Sequence, residues 1–258
     1  MSRFDDYKDA FQSVKLSRTA SGIVEMRLHT EGGPWGWDAR AGSDVSHREL
    51  GDAAVAIARD EGTRVVIITG TGDRFSGPQA SKSTMSRGDV QHWEHLQFHG
   101  NHTLMDLIDI PAPVISCLNG PAYRHAEIPF VGDIVLASED ALIQDSAHFP
   151  NRVVPGDGIG VMLPYLMGPQ RGRYFHLMGQ QLSAKELNEI GMVHEVMPRE
   201  KLLPRAREIA GQLIQNNQYT LRYARYVLTA PLKALLQRHL AYGHSLEAQA
   251  AVHESGNG

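Results

Sequence analysis

The chain has a single cysteine, Cys117, in 258 residues, which excludes an internal disulfide and a thiolate-rich metal site. Cys117 lies in the apolar run Pro113-Val-Ile-Ser-Cys-Leu118 and reads as packing in a buried strand. No apolar run approaches a membrane span, and Met1 to Lys15 are charged and polar, without the apolar centre of a secretory signal, so a cytoplasmic protein is expected. Basic charge is not in excess: a net charge of −4 with mixed signs provides no electrostatic footprint for nucleic acid. Thirteen histidines are many, yet there is no His-Glu-x-x-His and no Cys-x-x-Cys. The pairs His95/His99 and His99/His102 have helical spacing and read as surface or interface polar groups, so no metal is expected. Repeats, low-complexity tracts and Pro/Ser-rich linkers are also missing, which argues for one domain. What is present, 42% hydrophobic residues, suffices for a full core.

In chain order, Val14 to Arg27 predicts a hairpin around Thr19-Ala-Ser-Gly22, with Ile23 to Leu28 alternating like a half-buried strand. A glycine-rich loop from Thr30 to Trp37 carries two of the three tryptophans. Leu50, Ala53, Ala54, Ile57 and Ala58 make one face of a helix over Ser46 to Asp60. Arg64 to Gly70, Pro113 to Gly120 and Asp133 to Ala137 have the continuous apolar character of strands buried on both faces. Interleaved with helices, they predict an α/β fold with parallel pairing and right-handed crossovers. Beyond Gly158, short helices are expected at Val161–Met167 and Gly172–Gly179, and Ser183-Ala-Lys-Glu186 has the pattern of a capping box opening a further helix to Met192, followed by a short extended Val193-His-Glu-Val196. Glu200–Asn216, Gln218–Leu228 and Pro231–Ala251 read as helices, so the last third is predicted to be helical without a sheet partner of its own.

The stretch Gln144 to Gly158 draws the chemistry together. Pro150 and Pro155 prevent a continuous helix there, so His148 and Asp157, nine residues apart, can approach one another. A histidine moves protons near neutral pH when a partner fixes its orientation, and Asp157 can serve His148 in that way. The residues alone are equally consistent with Pro155-Gly-Asp-Gly158 as a turn in which Asp157 caps the following helix.

Four stretches together resemble the crotonase superfamily in order and spacing: Val65 to Ser76, Pro111 to Gly120, Gly132 to Ala137 and Leu182 to Val193. The resemblance implies a spiral of ββα units, residues 1–195, with a helical C-terminal region, residues 196–258, used for trimerisation. Most members act on coenzyme A thioesters through two backbone N–H groups supplied by glycine-rich segments. This chain departs from that pattern. Ser76-Gly-Pro-Gln-Ala80 carries Pro78, which has no N–H, and His125 in Asn119-Gly-Pro-Ala-Tyr-Arg-His-Ala126 stands where a glycine is usual. His148 replaces one of the two hydratase glutamates; the other position falls at Ile128, with Glu127 one residue early.

The departures resemble the β-diketone hydrolase branch typified by 6-oxocamphor hydrolase, through His125-Ala-Glu-Ile-Pro129, Gln144-Asp145, His148-Phe-Pro150, Val154 to Gly158, Gln170 to Phe175 and Glu247-Ala248. That resemblance implies a His148/Asp157 dyad that activates water, His125 and Trp37 holding a substrate carbonyl, and Glu247 completing the site. It implies a small diketone substrate, no cofactor, and a homotrimer or dimer of trimers. Trp35, two residues from Trp37, is the alternative indole. An enzyme acting on a coenzyme A thioester is the competing expectation.

Overall fold

The computed structural model describes residues 3–36, 45–77 and 90–256. A short helix α1 (Phe4–Tyr7) precedes β1 (Val14–Arg18) and β2 (Ile23–Leu28), which form the expected antiparallel hairpin with Val14 opposite Leu28. The chain continues through β3 (Trp35–Gly36), α2 (Val45–Arg59), β4 (Val65–Thr69), β5 (Ser76–Gly77), α3 (Val90–Ile108), β6 (Val114–Leu118), β7 (Ile134–Ser138) and β8 (Leu142–Gln144). It ends in α4 (Ile159–Met167), α5 (Pro169–Met178), β9 (Gln181–Ser183), α6 (Ala184–Glu189), β10 (Glu195–Met197), α7 (Arg199–Leu213) and the long α8 (Gln218–Gly256).

A six-stranded sheet in the order β1-β2-β4-β6-β7-β10, parallel from β2 onward, forms the centre. Its central strands β4 and β6 are buried on both faces, while β1 at one edge alternates buried and exposed residues, and the pleat sends alternate residues to opposite sides. Val66 and Ile68 face the larger core under α2 and α3, whereas Val65 and Ile67 face α7 through Leu202, Ala206 and Ile209. Cys117 is buried in that second core, and burial pushes its thiol up to about 12, leaving it inert. Arg225 pins α8 to the body: its guanidinium is buried, pairs with Asp133 at 2.7 Å and donates to the carbonyls of Ile110 and Leu107. No described helix is long and apolar enough to cross a membrane.

Each turn of the chain also gives a short strand to a second layer. β3 pairs with β5, single bridges join Ser76 to Ala122 and Ala122 to Ile143, and β8 pairs with β9. Two sequence expectations are corrected. The last third is not sheet-free: β9 pairs with β8, and β10 extends the central sheet beside β7, so a division after residue 195 falls within β10. Three-residue strands are too short to show a period of two, and their pairing partners lie dozens of residues upstream. In addition, β6 and β7 are joined by a 3-10 turn, Ile128–Val131, where a helix is expected. The Ser183 capping box forms as its pattern predicts, with Ser183 and Glu186 exchanging hydrogen bonds.

Candidate active site

The second layer aims two loops at one place. After the Ala122 bridge come His125 and Glu127, and directly after β8 come Asp145 and His148. The loop Pro155–Gly158 enters from a third side with Asp157, while α8 closes the site with Glu247. Glycines permit that closure: a methyl group on Gly156 would strike the carbonyl of Gly243 on α8 and come within 2.8 Å of Glu247 Cβ, and one on Gly243 would strike the carbonyl of Gly156. The helix backbone therefore crosses the loop at contact distance, which no larger residue allows.

His148 is buried and held from both ends. Its Nδ1 donates to Asp145 Oδ1 at 2.7 Å, and its Nε2 faces Asp157 Oδ2 at 3.4 Å and Glu247 Oε1 at 3.7 Å. Asp157 combines both readings of its sequence context. Oδ1 accepts from the Ile159 N–H at the start of α4 (3.2 Å), and Oδ2 lies between His148 and His125 Nδ1 (3.5 Å). The carboxylate on the far nitrogen of His148 is thus Asp145, quoted in the matching stretch but given no role there. His125 Nδ1 donates to Glu127 Oε1 at 2.9 Å, and its Nε2 meets Nε2 of His47, from α2, at 3.1 Å. The Trp35 ring lies 6.1 Å from the His125 ring; Trp37 and Pro78 lie outside the described residues. Within one chain, then, the fold brings together His148, Asp157, His125 and Glu247 of the residues singled out by sequence.

His125 has φ of 48°, in the left-handed region that favours glycine. Such a conformation costs on the order of 1–3 kcal/mol in a non-glycine residue and persists where the surroundings enforce it. Here it turns the imidazole inward at the position where the resemblance expects glycine.

Electrostatics separate the roles. Burial works against a charged His148, but the Asp145 and Asp157 carboxylates outweigh it and hold its proton well above the usual histidine range. Burial would raise Asp145 and Asp157 as well; pairing with His148, and with His176 or His125 respectively, holds both carboxyls well below the usual range. Glu247 lacks so close a cation, and burial pushes it up to about 8, so it carries its proton at neutral pH. Burial also raises Glu127, while Glu127 and Asp157 retain the proton of His125 against burial. Among the described residues, Oε2 of Glu127, Oε2 of Glu247 and Nε2 of His176 and His244 are buried without hydrogen-bond partners. Each such atom costs roughly 1–3 kcal/mol, so their concentration marks a polar site retained at the expense of stability.

The donor atoms of His125, Glu127 and Asp157 lie within 4.8 Å of one another, close enough for a metal ion. The hydrogen bond from His125 to Glu127 explains that closeness as a proton-sharing pair. Among the described residues, the pairs His95/His99 and His99/His102 belong to no group of three metal-ligating side chains.

Sequence reasoning passed over Asp145, Glu127, His47 and His244 as site residues. Their signals were present: His47 is three residues before Leu50 on the apolar face of α2, and Leu236, Leu240, His244 and Glu247 form one buried stripe on α8. A polar residue on an apolar stripe is the pattern that identifies them.

The enoyl-CoA hydratase/isomerase family profile matches residues 40–256. Among solved structures, a β-diketone hydrolase from the cyanobacterium Anabaena sp. PCC 7120, bound to (S)-3-oxocyclohexyl acetic acid, is 38% identical, with 96% of this chain and 97% of that one covered and a TM-score of 0.90. An enoyl-CoA hydratase/isomerase from Mycobacterium paratuberculosis, 22% identical over 95% of each chain with a TM-score of 0.80, shares the fold. Among curated proteins, the crotonyl-CoA hydratase of Syntrophomonas wolfei is 26% identical over 78% of this chain and 76% of its own.

Proposed function

The chain belongs to the enoyl-CoA hydratase/isomerase (crotonase) superfamily, and from that premise we propose that it hydrolyses a carbon–carbon bond of a cyclic β-diketone, without a cofactor, to give a keto acid. The observation that carries this reading is the buried His148 imidazole, held at Nδ1 by Asp145 and facing Asp157 and Glu247 through Nε2. The 38% identity to a β-diketone hydrolase supports it. Cleaving a bicyclic 1,3-diketone leaves a ring ketone bearing a carboxylic acid arm, the class of compound to which (S)-3-oxocyclohexyl acetic acid belongs.

The chemistry is a retro-Claisen reaction. Because Asp145 and Asp157 hold a proton on His148, the base is its minor, neutral form, which grows as pH rises; in that form Nε2 takes a proton from water as the oxygen adds to one ketone carbon. Collapse of the tetrahedral adduct breaks the bond to the central carbon, leaving a carboxylic acid and an enolate. His125 and a tryptophan from the Thr30–Trp37 loop, Trp37 or Trp35, hold the carbonyl on which the enolate charge develops. Glu247, protonated at neutral pH, delivers the proton to the enolate carbon, and the proton held by His148 returns to Glu247 across the 3.7 Å between them. Both His148 and Glu247 hold a proton at neutral pH, so Glu247 is ready as the acid while His148 must give up its proton before it serves as the base.

The test is incubation of purified protein with a panel of 2,2-disubstituted and bicyclic cyclic 1,3-diketones. Keto acid should form at a rate abolished in His148→Ala; a panel left intact after long incubation removes the reading. The curated relatives favour a second one, a hydratase or isomerase for a coenzyme A thioester. That reading requires acyl-CoA binding, which titration calorimetry measures directly. The proposal includes a homotrimer or dimer of trimers, supported by the exposed Tyr219, Tyr223, Tyr226, Val227 and Leu228 on α8. A monomeric mass by light scattering excludes it.

A further inference from the structure

Asp145 serves two imidazoles. While Oδ1 accepts from His148, Oδ2 lies 2.8 Å from Nδ1 of His176, which α5 brings in from 31 residues downstream. His176 is only 5% exposed, and among the described residues its Nε2 has no hydrogen-bond partner. An aliphatic residue would fill the same space without leaving a polar atom unpaired, so the imidazole is retained for its bond to Asp145. An ionised carboxylate has only acceptors, so both Nδ1 atoms carry hydrogens, and in its neutral form His148 directs its Nε2 lone pair toward Asp157 and Glu247.

We propose that His176 is a positioning residue of the site: through the carboxylate it shares with His148, it fixes the orientation of that imidazole and limits how tightly His148 holds its proton.

The reason is competition for one acceptor. Each N–H donor withdraws charge from the carboxylate, so Asp145 with two partners stabilises the His148 imidazolium less than Asp145 with one. A charged His176 acts in the same direction by repelling a charged His148. The other groups facing His148 and Asp145 are Asp157, His125 and Glu127 from the loops, His244 and Glu247 from α8, and Arg124 beside Asp145. The bond from His176 ends on Asp145 Oδ2, so replacing His176 removes one partner of that carboxylate.

This inference rests on His148 as the base, and its test is therefore separated from turnover. Histidine-selective NMR titration of the full chain follows His148 in wild type, His176→Leu and His176→Asn, the last retaining an N–H donor where Nδ1 stood. His176→Leu should raise the His148 midpoint by about one pH unit, and His176→Asn should restore most of the difference. The acid limb of kcat/KM for diketone cleavage should move with it, lowering activity at pH 7 by up to about tenfold with little change in KM. An unchanged or lowered midpoint in a folded His176→Leu overturns the proposal. If that variant does not fold, the wild type decides: a protected His176 Nδ1 proton that responds to the His148 titration supports the shared carboxylate, and its absence overturns it. A midpoint that shifts in a protein that cleaves no diketone leaves the coupling intact and removes the proposed function.

Discussion

The central strands and the loops behind β8 are withdrawn from water to the same degree but are filled with opposite chemistry. β4 and β6 bury almost only aliphatic side chains, whose removal from water stabilises the fold at roughly 25 cal/mol per Å². The layer beside them buries His125, Glu127, Asp145, His148, Asp157 and Glu247, and such groups repay their desolvation only when paired. Burial in the sheet makes a rigid platform. Burial in the loops keeps acids and bases far from their ordinary titration ranges. The first region should answer to mutation in stability and the second in activity, and the predictions that follow can break that division.

The largest effect is expected from His148→Ala, which removes the base and should lower diketone turnover roughly 10²- to 10⁴-fold in single-turnover assays. It also leaves Asp145 and Asp157 without their cation, so thermal melts should show the variant losing more stability at pH 7 than at pH 4.5. Loss of activity with no such pH-dependent stability cost would mean that the two carboxylates are not paired through His148. On the other side, Ile67→Ala should cost about 2–5 kcal/mol in denaturant unfolding while turnover per folded molecule stays near wild type. A drop in kcat without a drop in stability would show the sheet to be part of the chemistry.

His125→Gly sharpens the contrast because the two effects should part. Glycine relieves the φ of 48°, which offsets part of the cost of leaving buried Glu127 and His47 without their partner, so the melting temperature should fall less than in His125→Ala, while turnover falls roughly 10²- to 10³-fold in both with the carbonyl donor gone. Turnover per folded molecule near wild type in both variants would make His125 a structural residue. Gly243→Ala tests whether the crossing of α8 over Gly156 sets the site. Alanine favours a helix interior by roughly 1 kcal/mol, so helicity by circular dichroism should hold, but displacing Glu247 by even an ångström should lower kcat by up to about a hundredfold.

The smallest effect concerns pH. Burial pushes Glu247 up to about 8 in the folded chain from its ordinary 4.5, so between those values the folded state keeps a proton that the unfolded state has lost. Stability therefore falls as pH rises through that window. Glu247→Gln should flatten the decline in melting temperature from pH 5 to 8 by a few degrees; parallel curves for the two proteins would take Glu247 out of the account.

Much of this was legible from residues alone where periodicity or a motif is local. The hairpin at Thr19–Gly22, the apolar strands at Val65 and Val114 and the Ser183 capping box depend on neighbours a few residues away, and each forms where its pattern points. The candidate site was legible in part. The residues alone raise the His148/Asp157 pair beside a capped turn, resemblance in order and spacing adds His125 and Glu247, and the fold gathers all four. Asp145 was in view without a role, since nothing in a linear chain says which of two nearby aspartates meets Nδ1. The strand β9 was missed because three residues carry no period, whereas β10 overlaps the extended Val193–Val196 that the residues point to, and only its place beside β7 was left open.

The sequence by itself determined the α/β alternation, the buried character of the central strands and the replacement of a glycine by His125, because these depend on side-chain chemistry and short-range spacing. Tertiary structure alone decided that Asp145 holds His148 with His176 on its other oxygen, that Asp157 caps α4 with one oxygen and faces the imidazoles with the other, and that Glu247 reaches the site from its own chain. The Asp145–His148 and Asp157–Ile159 contacts join near neighbours in loops that the fold orients, whereas His176 and Glu247 arrive across 31 residues of chain or more, as at the crossing of Gly156 and Gly243. There, contact distances of a few tenths of an ångström select the partner, and no local pattern encodes them.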